Sequence, residues 1–183
     1  MVYRYGITYS RINDDVLISC GLMGRTANIK RNLRMSFNNL RKGRFSSENQ
    51  IYFVTTVVDK RRKFFIELGI CRKIIFEMKK LDEEGYVDTL SWVIMPDHIH
   101  WLFQLKENSS LATVMKYFKG RSARNLNKIL GLKGTFWQCA YYEHALRSDE
   151  DIKKIARYIV ANPLRAGLVE KIENHPYWDA RWL

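Results

Sequence analysis

His98 and His100 stand two apart in SWVIMPDHIHWLFQL, residues 91–105, in a chain of 183 residues with only four histidines. Strand geometry would point both imidazoles to one face, roughly 6.5–7 Å apart along the backbone. Two imidazoles at that spacing can bind one metal ion. They equally suit a sheet edge where partly buried histidines make ordinary hydrogen bonds. The flanks WVIM and HIHWLFQL are rich in β-branched and aromatic residues, so both read as strands. Pro96-Asp97 between them is a turn signal. The expectation is a hairpin whose second strand carries both histidines.

The elements around that hairpin follow from periodicity. IYFVTTVVDK (51–60) reads as a first strand. ELGICRKIIFEMKKLDEEG (67–85) repeats its apolar residues at helical spacing, at Leu68, Cys71, Ile74, Ile75 and Met78, and Gly85 closes it. SLATVMKYFKGRSARNLNKILG (110–131) places Leu111, Val114, Met115 and Phe118 on one helical face, with Gly120 in its middle. TFWQCAYYEHALR (135–147) reads as a loop and a short strand. SDEDIKKIARYIVAN (148–162) reads as a helix, with Ser148 as N-cap, Asp151 completing a capping box and Pro163 as its stop. The order strand, helix, strand, strand, helix, strand implies an α+β domain with a mostly antiparallel sheet.

Charge narrows the partners. Lys and Arg number 31 against 19 Asp and Glu, a net charge of +12. Such an excess favours a polyanion, with nucleic acid the leading candidate. Residues 108–142 contain no acidic side chain but carry Lys116, Lys119, Arg121, Arg124 and Lys128. These are expected to track phosphates from the outer face of their helix. Trp137, Tyr141 and Tyr142 could stack on unpaired bases, with core packing the expectation for at least half of these rings. The first 45 residues form an N-terminal extension to a domain over 46–183. Residues 1–34 read as loosely ordered, and Arg41, Lys42 and Arg44 as a DNA-contacting cluster. No apolar run approaches the ~20 residues that span a bilayer, and the N-terminus has no signal-peptide core. Cys20, Cys71 and Cys139 suggest neither a disulfide framework nor a CxxC site, so a reducing cytoplasm is expected.

In the last helix Ile152, Ile155 and Ile159 share one face, while Lys154, Tyr158 and Asn162 step by four along a stripe beside it. A helix-borne tyrosine is commonly a half-buried packing residue. The combination of MPDHIHWLF with ARYIVANPLRAGLV, however, resembles the REP-associated tyrosine transposases, a group of single-tyrosine HUH nucleases. FWQCAYYEHALR also resembles an aromatic stretch of that family, with Cys139 where an arginine is more familiar. The resemblance runs from about residue 41 to 170. It implies a ferredoxin-like HUH fold, with His98 and His100 as metal ligands, Asn162 as the third ligand and Tyr158 as nucleophile. It further implies a hairpin-forming single-stranded DNA substrate and a monomer, in a group whose relatives include swapped dimers.

The residue chemistry agrees with that reading. A divalent ion held by two neutral imidazoles and an amide oxygen keeps positions open for phosphate, which suits Mg²⁺ or Mn²⁺ better than a closed zinc site. Lys154, one turn before Tyr158, could favour its phenolate or hold a phosphate. No GxxxxGK[ST] phosphate loop is present, and exchange of strands through a phosphotyrosine needs no ATP. The expected function is a metal-dependent single-strand endonuclease and strand transferase. A non-catalytic binder of structured nucleic acid and a relaxase or replication initiator are the alternatives.

Overall fold

The computed structural model describes residues 49–107 and 109–182. Its centre is a five-stranded antiparallel sheet in the order β4-β1-β3-β2-β5. The strands are β1 (Ile51–Val57), β2 (Val87–Met95), β3 (His98–Leu105), β4 (Tyr142–Ala145) and β5 (Trp178–Ala180). β2 and β3 are joined by the Pro96-Asp97 turn, so the expected hairpin is present, with β3 in the middle of the sheet. The expected arm carrying Arg41, Lys42 and Arg44 lies outside the described residues.

Alternation along the strands sorts the core into two layers. Val54, Ile99, Trp101 and Phe103 pack with Ile74, Met78 and Leu81 of α1 (Leu68–Glu83) and with Val114, Met115 and Phe118 of α2 (Leu111–Leu130). Phe53, Val93, Met95 and Leu102 pack on the other face, with Ala156 and Ile159 of α3 (Ile152–Val160). The three inner strands, β1, β3 and β2, are thus buried on both sides, which explains why HIHWLFQL reads as a nearly continuous apolar run.

The helix ends follow local chemistry. Ser110 caps α2 by accepting the Thr113 N–H at 3.2 Å, and Gly131 ends it with φ 63°. Gly85, with φ 75°, follows α1, a backbone angle that glycine adopts without a Cβ penalty. Two expectations are corrected at α3. Its N-cap is Asp151, whose carboxylate accepts the Lys154 N–H at 3.1 Å, and not Ser148. The helix also stops before Pro163: Asn162–Arg165 form a separate short helix, α4, with Pro163 in its first turn. Proline is tolerated there because its missing N–H would have had no helical partner. β5 was not anticipated. Its three residues are too few to show a period, and it is defined by pairing with Ser91–Val93. No helix among the described residues is long and apolar enough to cross a membrane.

Candidate active site

β3 places His98 and His100 on the face that carries α3. They alternate with Ile99 and Trp101, which belong to the opposite layer, and the His100 ring centroid lies 5.5 Å from that of Phe53. In register, Thr55 and Val93 flank His100, while Val57 and Met95 flank His98. The two rings converge, nearly perpendicular, with Nε2 atoms 3.2 Å apart. Two nitrogens each about 2.1 Å from one divalent ion stand roughly 3.0–3.4 Å apart at ordinary coordination angles.

The opposite ring nitrogens are held. His98 Nδ1 donates to Asp97 Oδ1 at 2.6 Å, and Asp97 Oδ2 accepts from Arg61 at 3.0 Å. That contact puts the proton of a neutral His98 on Nδ1 and leaves Nε2 with a bare lone pair. His100 Nδ1 lies 2.7 Å from Thr55 Oγ1. A hydroxyl either donates or accepts. When Thr55 donates, His100 Nε2–H can bond His98 Nε2. When Thr55 accepts, both Nε2 lone pairs face the same point, an arrangement that requires a cation between them.

Electrostatics favour a neutral His100. Burial, then the charges of His98 and Arg165, hold His100 well below the usual histidine value. Burial pushes the Asp97 carboxyl up, but its hydrogen bond from His98 and the His98 and Arg61 charges outweigh this, so it lies below the usual range. Asp97 therefore stays ionised as an acceptor for His98. Among the described residues no three His, Cys, Asp or Glu side chains are placed to hold a metal ion together. A metal on this pair needs an amide, phosphate or water to complete its shell.

α3 and α4 supply the remaining candidates on the same side of the sheet. Tyr158 is half-buried and packs against the layer that contains Phe53 and Met95. Asn162 is buried, and its Nδ2 donates to the main-chain oxygens of Tyr158 and Ile159, both at 3.0 Å. This commits its nitrogen to the helix end and leaves Oδ1 as the end of the side chain that can meet a ligand. Arg165 lies over the Tyr158 ring at 4.4 Å, and its charge also acts on His100. Lys154 is exposed and pairs with Asp151 at 3.6 Å, so its ammonium is turned to the helix start.

The basic helix lies elsewhere. α2 packs on the sheet face opposite the histidines, so Lys116, Lys119, Arg121, Arg124 and Lys128 are not brought to them. Lys116, Arg124 and Lys128 are exposed. Lys119 donates to the carbonyls of Gln138 and Cys139 at 2.6 and 3.0 Å, and Arg121 pairs with Glu84 at 2.6 Å. Those two anchor the fold. Trp137 is a correction: it is 3% exposed, its Nε1–H donates to Ser122 Oγ at 3.0 Å, and its ring packs among Phe65, Phe118 and Phe136. It has no face left for a base. Tyr141 is half-buried beside the Lys119 ammonium, 5.7 Å from its ring centre. His144 of the aromatic stretch bonds Glu150, tying β4 to the approach of α3.

Sequence reasoning missed several neighbours of the pair. Lys60-Arg61-Arg62-Lys63 follows β1 directly, a run of four cations readable in VDKRRKFF. It docks on the histidine hairpin through Val58 N–H to Asp97 O at 2.9 Å and Phe65 N–H to Pro96 O at 3.0 Å. Thr55 carried no signal, since its role depends on strand register. Arg165 was quoted in NPLRAGLV without a role.

The comparisons with known proteins agree with this geometry. Residues 46–162 match the family model "Transposase IS200 like". A Haemophilus influenzae protein that carries the provisional name REP-associated tyrosine transposase is 31% identical over 137 residues, covering 69% of this chain and 77% of its own. The REP-associated tyrosine transposase of Escherichia coli K12 is 24% identical, covering 73% and 78%. A solved structure of a REP-associated tyrosine transposase bound to a REP hairpin shares the fold, with a TM-score of 0.63 at 22% identity over 74% of this chain and 79% of that one. By the family match and the Haemophilus relative, this chain belongs to the IS200-like transposases, in the group of REP-associated tyrosine transposases.

Proposed function

We propose that the protein cleaves and rejoins single-stranded DNA beside a hairpin, through a covalent link to Tyr158 and with a divalent ion on His98 and His100. The observation that carries this reading is the convergent imidazole pair, 3.2 Å between Nε2 atoms, on the sheet face that also packs the Tyr158 helix. The hairpin substrate is supported by the relative whose structure holds a REP hairpin.

The donor set fits a metal. Two neutral imidazoles and the Asn162 oxygen would hold it, and the oxygen-rich remainder favours Mg²⁺ or Mn²⁺. When bound there, such an ion polarises the scissile phosphate and offsets charge on its non-bridging oxygens.

The chain's own residues do the rest. Asp97 and Thr55 orient the two rings by their Nδ1 atoms. Tyr158 Oη forms a bond to phosphorus as the P–O3′ bond breaks. The 3′ oxygen leaves as a hydroxyl, gaining one proton, while the phenol loses one to water. The DNA 5′ phosphate stays on Tyr158, and attack by another 3′ hydroxyl reverses the step. The reading takes the protein as a monomer.

The experiment is cleavage of a hairpin oligonucleotide with a single-stranded flank, in Mg²⁺ or Mn²⁺. His98→Ala and His100→Ala are expected to lose cleavage while keeping most hairpin affinity. Undiminished cleavage by the double variant in chelator would overturn the metal role.

A further inference from the structure

The Arg165 guanidinium lies over the Tyr158 ring, whose helix packs on the sheet face that carries the histidine pair. Its Cζ is 4.4 Å from the centre of the Tyr158 ring. It is exposed, it ends α4, and no carboxylate among the described residues pairs with it. Asn162 and Arg165 are three apart in α4 and so share one side of that helix. The Arg165 main-chain N–H donates to Ala161 O at 3.1 Å, which fixes the turn. Its charge is felt at His100.

We propose that Arg165 binds the scissile phosphate between Tyr158 and the His98–His100 pair, as a further catalytic residue. This rests on the strand-cleavage reading above.

The geometry suits that task. A guanidinium over a ring face is held there by the ring's electron density and still has N–H donors to offer a ligand. Those donors form a fork that matches two non-bridging phosphate oxygens. A phosphoryl transition state gathers charge on just those oxygens, so a fixed cation there stabilises it more than the ground state. Two other cations near the site are engaged. Arg61 pairs with Asp97 and Lys154 with Asp151.

A purely structural Arg165 would steady the tyrosine ring and no more. Single-turnover cleavage separates the two roles. The substrate is a flanked hairpin oligonucleotide that the wild-type protein cleaves, made with each phosphorothioate diastereomer at the scissile position. Arg165→Met keeps a long side chain against the ring without charge. It is expected to cut the rate constant by about 10²–10³-fold with hairpin affinity nearly unchanged. Arg165→Lys should recover part of the rate. In the wild type one diastereomer should be slowed more than the other, and Arg165→Met should shrink that difference. Wild-type rates in Arg165→Met, or a diastereomer preference that survives the substitution intact, would overturn the phosphate role while leaving the tyrosine chemistry standing. Absence of any wild-type adduct would instead remove the reading beneath it, and this inference with it.

Discussion

His98 Nε2 and His100 Nε2 lie 3.2 Å apart, and each ring is gripped from behind, one by Asp97 and the other by Thr55. The Thr55 hydroxyl can switch from donor to acceptor, so the pair can be a neutral hydrogen-bonded couple or a two-nitrogen clamp without moving a heavy atom. Thr55→Val removes the switch and little volume. Mn²⁺ affinity of the protein alone, measured by calorimetry, is expected to fall about 10–100-fold. Unchanged affinity would show that Thr55 does not support the clamp.

The cations that matter for a strand at the histidines are those beside the hairpin turn. Lys60 and Lys63 are exposed there, whereas Lys116, Arg124 and Lys128 lie across the sheet. Lys60→Gln with Lys63→Gln should lower the slope of log affinity against log salt by about one to two. Neutralising the three α2 residues should reduce it less. The reverse order would place the nucleic acid on the helix-pair face.

Trp137 is a core residue. Trp137→Ala is expected to cost about 3–5 kcal/mol of stability, read from urea unfolding. Trp137→Phe should cost less and leave hairpin affinity unchanged. A large affinity loss in a folded Trp137→Phe protein would restore the stacking role.

His175 donates from Nε2 to the Ile94 carbonyl at 2.9 Å. Burial lowers its pKa and that hydrogen bond raises it, with burial prevailing, so it lies below the usual 6.5. In that window the unfolded chain binds a proton that the folded chain does not. Stability is therefore full above about pH 6.5 and falls as pH drops toward the folded value. Thermal unfolding from pH 8 to 5 should show this decline, less steep in His175→Gln. An identical slope in the variant would contradict the assignment.

The sequence was most legible where chemistry is local. The Pro96-Asp97 turn marked the hairpin, and alternation in HIHWLFQL put both histidines on one face. Helical period found α1, α2 and α3. What stayed hidden depended on which face each helix chose. Nothing in SLATVMKYFKGRSARNLNKILG says that its apolar stripe meets Trp101 and Phe103 and not the Phe53 side. Thr55 and Asp97 acquired roles through register and a turn, and Arg165 through the break between α3 and α4 at Ala161. Trp137 misled because an aromatic cluster in a loop reads the same whether it is exposed or buried.

The proposed covalent link to DNA is at Tyr158. Tyr158→Phe removes one oxygen, and the ring can keep its place under Arg165. The most direct measurement traps the adduct on a flanked hairpin oligonucleotide with Mn²⁺ and maps the modified peptide by mass spectrometry. An adduct on Tyr158 is expected, lost in Tyr158→Phe with hairpin affinity and fold retained, and kept when Tyr117, Tyr141 or Tyr142 is changed to Phe. An adduct that persists in Tyr158→Phe, or one mapped to another tyrosine, would contradict it.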